Sequence, residues 1–141
     1  MIVPIRTIHH EKVVTCEEAS LARGIELSEE LKTLLLKVCK RYVALHIRGC
    51  DTLNSKKLKT FFRCKNTSFL NLEELAEKGL KPGIINPWNI GFCDYHIVCF
   101  RVFQNEHMAT NNSRLDQGIF FDVFELLRQP NTIVGNYGIT K

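Results

Sequence analysis

The run from Leu31 to Ile47, LKTLLLKVCKRYVALHI, limits the folds open to this chain more than any other segment. Two apolar stretches rich in strand-forming residues flank a short break at VCKR. That pattern predicts a β-hairpin over Lys32–Val38 and Tyr42–Ile47. Leu34-Leu35-Leu36 also fits a helix, because so short an apolar run has no decisive period.

Around this hairpin the capping chemistry marks helices. Thr15 and Glu18 have the spacing at which each side chain caps the other's backbone N–H, and Gly24 supplies a stop, so TCEEASLARG is a short helix. NSKKLKTFF is a second helix capped by Asn54. NLEELAEKG is a third, with Asn71 and Glu74 at capping distance and Gly79 at its end. IVPIRTIHH alternates loosely and reads as a strand, and Tyr95–Phe103 (YHIVCFRVF) is the clearest strand of all. QNEHMATNNSR reads as a loop. GIFFDVFELLRQ reads as a strand to about Phe121 followed by a helix over Asp122–Arg128. The order is strand, helix, hairpin, helix, strand, helix, strand, strand, helix. Adjacent strands with interspersed helices predict an α+β fold with a mixed sheet. With 141 residues and no linker or repeat, the chain fits one domain over residues 1–141.

Composition excludes some classes. Hydrophobic residues are 45% and charged residues 24%, as in an ordinary globule, and no apolar run approaches a membrane span. The N-terminus lacks the pattern of a signal peptide. Of the 6 cysteines none forms a C-x-x-C pair, which argues against zinc, and without a secretory signal free thiols in a reducing cytoplasm are expected. Cys93 and Cys99 read as small core residues. The formal charge of +4 is unevenly spread: from Lys32 to Lys65 there are ten Lys or Arg and a single acid, Asp51. Such a segment makes either a polyanion-binding face or a solvated basic surface.

Three features, in order, resemble the YbaK/ProX family. A lysine opens a strand in the context K-T-L-L-L (Lys32 to Leu36), a G-x-x-x-P loop runs from Gly83 to Pro87, and a late His/Asn segment, HMATNNS, follows from His107 to Ser113. The likeness runs from about His9 to Arg128. These are free-standing aminoacyl-tRNA deacylases similar to the editing insertion domain of bacterial prolyl-tRNA synthetase. The resemblance implies an α+β domain with a strongly curved mixed sheet. It implies hydrolysis of the ester joining a wrong, small amino acid to tRNA, with alanine or cysteine on proline tRNA typical, and no metal or organic cofactor. The expected partners are the acceptor end of aminoacyl-tRNA and an aminoacyl-tRNA synthetase.

An aminoacyl ester is already activated, so the chemistry asks for a placed water, a held carbonyl and a stabilised oxyanion more than for a strong nucleophile. Lys32 is the first candidate, to hold phosphate or ribose or to polarise the ester; the alternative is an ordinary exposed strand lysine. Gly83 and Ile84 can present backbone groups, with Pro87 stiffening the loop, unless the segment is a plain connector. His107 can relay a proton, or be a solvated loop residue. Asn111 and Asn112 orient water or make the turn, and Thr15 lines the pocket or only caps its helix. Lys37, Lys40, Arg41, Lys56, Lys57 and Lys59 are candidates for tRNA phosphates. Phe61, Phe62 or Trp88 can stack on a base, although core packing is the plainer reading for the two phenylalanines. His9 and His10 fall where the family often has a histidine; His46 and His96 have no partner that suggests metal.

The sequence also departs from the family. Asn86 stands before the loop proline where Ser or Thr is common, and Trp88 after it where Phe or Leu is common. Asn112 and Ser113 follow the late Asn where many members have glycine. Besides the deacylase, two readings stay open: a non-catalytic module of the same fold that binds tRNA, a nucleotide or a synthetase, and a hydrolase of some other small acyl ester.

Overall fold

A computed structural model describes residues 4–140. The predicted hairpin is its organising element. β2 (Leu31–Val38) pairs antiparallel with β3 (Arg41–Arg48) over their whole length, from Leu31 opposite Arg48 to Val38 opposite Arg41. Leu34 to Leu36 are therefore strand, the helical alternative being excluded by this ladder. β1 (Arg6–His9) precedes the pair and is shorter than the expected strand, whose Ile2 and Val3 lie outside the described residues.

β3 is the middle strand of a five-stranded mixed sheet, ordered β5-β2-β3-β6-β9. β5 (Thr67–Phe69) is antiparallel to β2, whereas β6 (Tyr95–Cys99) and β9 (Thr132–Gly135) continue parallel to β3. A central strand covered on both faces needs an unbroken buried run. Val43, Ala44, Leu45, His46 and Ile47 are each 0% exposed. On one face Leu36, Val43, Leu45 and Ile47 pack with Ile97 and with Leu58 of α2 (Ser55–Phe62). On the other, Leu35 and Ala44 meet Leu75 of α3 (Leu72–Glu77) with Leu80 and Ile90. Farther along that face Leu31 and Val98 pack on Met108 and Phe121 from a second sheet.

The second sheet is three-stranded and antiparallel, β1-β8-β7, with β7 at His107–Asn111 and β8 at Gln117–Asp122. A third pairs β4 (Asp51–Leu53) with β10 (Gly138–Thr140). The capping expectations hold closely. Helix α1 (Cys16–Arg23) carries the reciprocal Thr15/Glu18 box and ends at Gly24 with φ +69°. Asn54 caps α2, and Asn71 with Glu74 caps α3.

Four expectations are corrected. HMATN is strand rather than loop: Met108, Ala109 and Thr110 are buried against β8, and their polar neighbours masked the pattern. The strand expected over Tyr95–Phe103 stops at Cys99, where its ladder to β9 ends, and a 3₁₀ turn follows over Phe100–Gln104. The expected helix after β8 is also 3₁₀, over Val123–Arg128, with the Asp122 carboxylate accepting from the Phe124 N–H. Finally, not all six cysteines are free. Cys39, in the β2–β3 turn, and Cys64, just after α2, form a disulfide with Cα atoms 6.3 Å apart. The two are separated by 25 positions and meet only because α2 folds back over the hairpin. Cys99 is buried as expected, whereas Cys93 is only half-buried. No helix among the described residues is long and apolar enough to cross a membrane.

One polar residue interrupts the buried run of β3. His46 is hydrogen-bonded through Nδ1 to Thr33 Oγ1 (2.9 Å) and through Nε2 to His96 Nδ1 (3.0 Å). Burial, then the neighbouring His96, pushes His46 down to about 3, so it is neutral in the fold. Its folded value lies below the unfolded one, so the stability it allows is present above about pH 6.5 and is lost as pH falls towards the folded value. Between pH 7 and 4.5 the protein is expected to lose on the order of 2 kcal/mol through this group. In His46→Gln the acid-dependent loss of stability, read by urea unfolding at both pH values, should shrink by that amount. The disulfide gives a second test. Reductant, or Cys39→Ala, should lower unfolding stability by about 3 kcal/mol from loop closure alone, and peptide mapping without reductant should recover Cys39 joined to Cys64.

Candidate active site

Among the described residues the first half of β2 has no β-partner on its outer side, because β5 pairs only with Leu36 to Val38. Beside this edge is a pocket of about 390 Å³. Its walls are Thr15 and Cys16 at the start of α1, Lys32 and Thr33 of β2, Gly83 of the glycine-proline loop, and Asn111 at the end of β7. Arg23 and Glu30 close one side. Four of the expected site residues, Thr15, Lys32, Gly83 and Asn111, thus converge from four separate segments.

Lys32 is half-buried, and its ammonium donates to the backbone carbonyl of Asp51. The Asp51 carboxylate itself is gripped by Arg48, with Nε to Oδ2 and Nη2 to Oδ1 both 2.9 Å. Burial works to raise this carboxyl, but the Arg48 fork outweighs it and holds it below the usual range. Asp51 is thus matched to Arg48, and a cation is kept at the pocket wall.

Gly83 has φ +93°, and a Cβ there would fall 2.5 Å from Leu115 Cδ2 and 3.3 Å from Val14 Cα. Only glycine allows the loop to approach α1 this closely. The loop is then pinned to β7 by amide side chains. Asn86 is 4% exposed, and its Nδ2 donates to Ser113 Oγ (3.0 Å), the Asn111 carbonyl and Asn111 Oδ1 (both 3.3 Å). Asn111 Nδ2 donates back to the Ile85 carbonyl (2.7 Å), and Asn89 Nδ2 donates to Ser113 Oγ (3.1 Å). Asn86 and Ser113, both departures from the family pattern, are bonded to each other.

The remaining expected residues lie elsewhere. Ile84 is outside the pocket lining; its N–H is used on the Lys81 carbonyl and its carbonyl accepts from Asn89. Pro87 is buried behind the wall. Trp88 faces away from the pocket and packs edge-on against Phe121, with ring centroids 5.1 Å apart, so its bulk fills the space between sheets rather than the pocket. His107 is exposed at the other end of β7, four residues and roughly 13 Å from Asn111. Asn112 makes the hairpin turn with Gln117.

The lining also holds groups that the sequence did not single out. Arg23 and Glu30 form an ion pair with side chains 2% and 3% exposed. Burial raises the Glu30 carboxyl to about 8 despite Arg23. Nothing local signals this pair: Arg23 reads as a helix-end cation and Glu30 as one of three acids in ELSEE. Cys16 is beside them, and burial, then Glu30, pushes its thiol up to about 12, so it is not a thiolate at neutral pH. Thr33 connects the pocket to the His46–His96 pair. Among the described residues no three His, Cys, Asp or Glu side chains are grouped to hold a metal ion.

The basic candidates lie on β2, its turn into β3, and α2, and the Cys39–Cys64 disulfide ties that turn to the end of α2. Lys40, Arg41, Lys56 and Lys57 are exposed; Lys37 and Lys59 are half-buried. Asn54, the α2 cap, follows the three residues of β4, whose Asp51 carbonyl holds Lys32. From there α2 runs about 12 Å to the disulfide at the hairpin turn. The two phenylalanines of α2 divide: Phe62 packs on the core, whereas Phe61 is 43% exposed beside Tyr137.

Comparison with known proteins agrees with this fold. The sequence profile of the aminoacyl-tRNA editing domain matches residues 10–102. The proline–tRNA ligase of Bacillus licheniformis is 31% identical over 106 residues, covering 74% of this chain and 18% of the ligase. That of Staphylococcus aureus strain MRSA252 is 30% identical over 87 residues, covering 61% of this chain and 15% of the ligase. The chain therefore spans under a fifth of the length of these relatives. Two solved structures share the fold. One is a hypothetical protein, APE2540, with TM-score 0.83 and 19% identity over 95% of this chain and 91% of that one. The other is described as a candidate trans-editing enzyme for prolyl tRNA synthetase, with TM-score 0.81 and 16% identity over 95% and 86%. The chain belongs to the aminoacyl-tRNA editing domain family, a family of ester-hydrolysing deacylases.

Proposed function

We propose that this protein removes a small, wrongly attached amino acid, alanine or cysteine, from proline tRNA in trans. The observation that carries the reading is the convergence of Thr15, Lys32, Gly83 and Asn111 on one pocket beside an open strand edge. Its volume of about 390 Å³ has room for a terminal ribose and a short side chain. Water attacks the ester carbonyl, the bond to the ribose oxygen breaks, and that oxygen takes up a proton. Lys32 holds a positive charge where the terminal phosphate or the developing oxyanion lies. Gly83 brings bare backbone to the carbonyl, and the Asn86–Asn111–Ser113 network keeps that loop in place, which is pre-organisation of a site that makes no covalent intermediate. The vicinal ribose hydroxyl assists the water. Cys16 takes no part as a nucleophile because it stays a thiol. His107, remote from the pocket, has no role in this scheme.

The basic stretch from α2 to the hairpin turn receives the acceptor-stem phosphates, with Lys56, Lys57, Lys40 and Arg41 most exposed. The same chemistry brings the protein to the compartment where tRNA is charged, the cytoplasm in a bacterium, and near the synthetase it corrects.

The deciding assay is a panel of proline tRNA charged with Ala, Cys, Ser or Pro. Turnover is expected on at least one of the first three and not on the cognate ester. Lys32→Ala should remain folded and lose about a hundredfold or more in kcat/KM. Unchanged rates in that variant would remove Lys32 from the mechanism, and tRNA binding without any turnover would make the protein a binding module. Separately, Lys56→Ala/Lys57→Ala should weaken tRNA binding at 100 mM salt and flatten the plot of log affinity against log salt by a slope of about 1–2. An unaltered slope would take these lysines off the RNA.

A further inference from the structure

Glu30 occupies a position with little freedom. Its backbone carbonyl accepts from the Gly49 N–H at 2.7 Å, and the residue bridges to Ala109 of β7. One carboxylate oxygen, Oε1, accepts from Arg23 Nη1. The other, Oε2, is the one buried side-chain N or O atom without a hydrogen-bond partner among the described residues. Buried carboxylate oxygens are ordinarily satisfied, and an exception leaves a place for a donor from outside the chain.

Arg23 does not serve both oxygens. Its Nε donates to His10 Nε2 at 3.3 Å, and its guanidinium crosses the backbone at Gly118, where a Cβ would fall 2.3 Å from Nε. The arginine is thereby fixed on Oε1. Cys16, the other titratable neighbour, offers only a weak thiol donor. Lys32 is turned to the Asp51 carbonyl. The open route to Glu30 is through the pocket, whose lining it shares with Thr15, Lys32 and Asn111.

The aminoacyl ester brings one group that the deacylated tRNA lacks and that matches this vacancy: a positively charged α-ammonium with three N–H donors. We infer that Glu30 is a specificity residue whose Oε2 accepts from the α-ammonium of the bound aminoacyl group, while Arg23 positions the carboxylate through Oε1. The inference rests on the aminoacyl-ester reading of the pocket. Burial holds the free carboxyl up at about 8, so at neutral pH the incoming ammonium displaces its proton to solvent and leaves two cations about one carboxylate, each hydrogen bond charge-assisted. An ester whose amine is acylated, or replaced by hydroxyl, offers Oε2 one neutral donor in place of a charged one and leaves Arg23 as the sole counter-charge. The pocket then distinguishes α-amino acid esters from blocked ones by charge, and leaves side-chain discrimination to the loop wall.

The test uses equilibrium binding, so it does not depend on turnover. The probes are three stable adenosine 3′-amides: alanyl, N-acetylalanyl and lactyl, the last with hydroxyl in place of ammonium. Calorimetric titration of the wild-type protein should show the alanyl amide binding about tenfold or more tighter than either of the others. This comparison needs no variant. Arg23→Gln/Glu30→Gln removes both charges together, so that no lone buried cation remains, and should bind all three within about twofold. If Glu30 served only to neutralise Arg23, the double variant would keep the wild-type preference, and the inference would be overturned. Equal affinities in the wild type, or no binding of any probe at millimolar concentration, would overturn it as well. A clear preference for the alanyl amide in a protein that deacylates no tRNA would keep the Glu30 assignment and discard the deacylase. Turnover of mischarged tRNA with no such preference would do the reverse.

Discussion

The β2–β3 ladder sets the position of everything else in this protein. β3 is sealed on both faces, so its side chains alternate between two cores, and α2 and α3 are drawn to opposite sides of the same sheet. The same ladder leaves the outer edge of β2 uncovered at Lys32 and Thr33, because β5 pairs only with the far end of the strand. An unpaired edge inside a fold must be closed by something else. Here the start of α1, the glycine-proline loop and the end of β7 come up to it without completing the ladder, and the space between them is the pocket. The site is thus a consequence of one short strand.

Polar interactions do the positioning that hydrophobic packing leaves undefined. The loop from Gly83 to Asn89 is anchored on the core by Ile85 and Trp88, and its place against β7 is fixed by amides. Asn86 and Ser113 look, one at a time, like losses of the family pattern. In the fold they are bonded to each other, the Asn86 amide reaching the Ser113 hydroxyl. The Thr33–His46–His96 chain plays the corresponding part behind β2, holding a pocket hydroxyl from within the core. A buried polar chain of this kind is stable only when every member is satisfied, and a neutral His46 can meet that condition in either tautomer.

Features encoded within a few residues were legible in the sequence. The Thr15/Glu18 and Asn71/Glu74 boxes, the Asn54 cap and the hairpin each follow from neighbours that touch in the folded chain. Features that depend on distant partners were not. β7 was hidden because Asn, Thr and His dominate a strand whose burial comes from β8. The disulfide joins residues 25 apart across a helix. β9 and β10 lie in a tail with no distinctive pattern, and their strand character comes from the edges they complete. In the site, Lys32, Thr15, Gly83 and Asn111 were accessible through their motifs. Ile84 and His107 sat in the same motifs but face other surroundings, since a motif gives order along the chain and not the direction of a side chain. Arg23 and Glu30 carried no motif at all.

The charges divide the molecule by task. Cations on α2 and at the hairpin turn are exposed, so their field extends into solvent over a Debye length of about 8 Å and depends strongly on salt. Within the pocket the charges are few, buried and paired, and they act over hydrogen-bond distances that salt screens little. Asp51 joins the two regions: its carboxylate holds Arg48, its carbonyl holds Lys32, and the chain continues from it through β4 into α2. Glu30 is two residues before Lys32, and its carbonyl is held by the N–H of Gly49, two residues before Asp51, so the carboxylate and the ammonium at the pocket rest on one shared stretch of the β2–β3 hairpin.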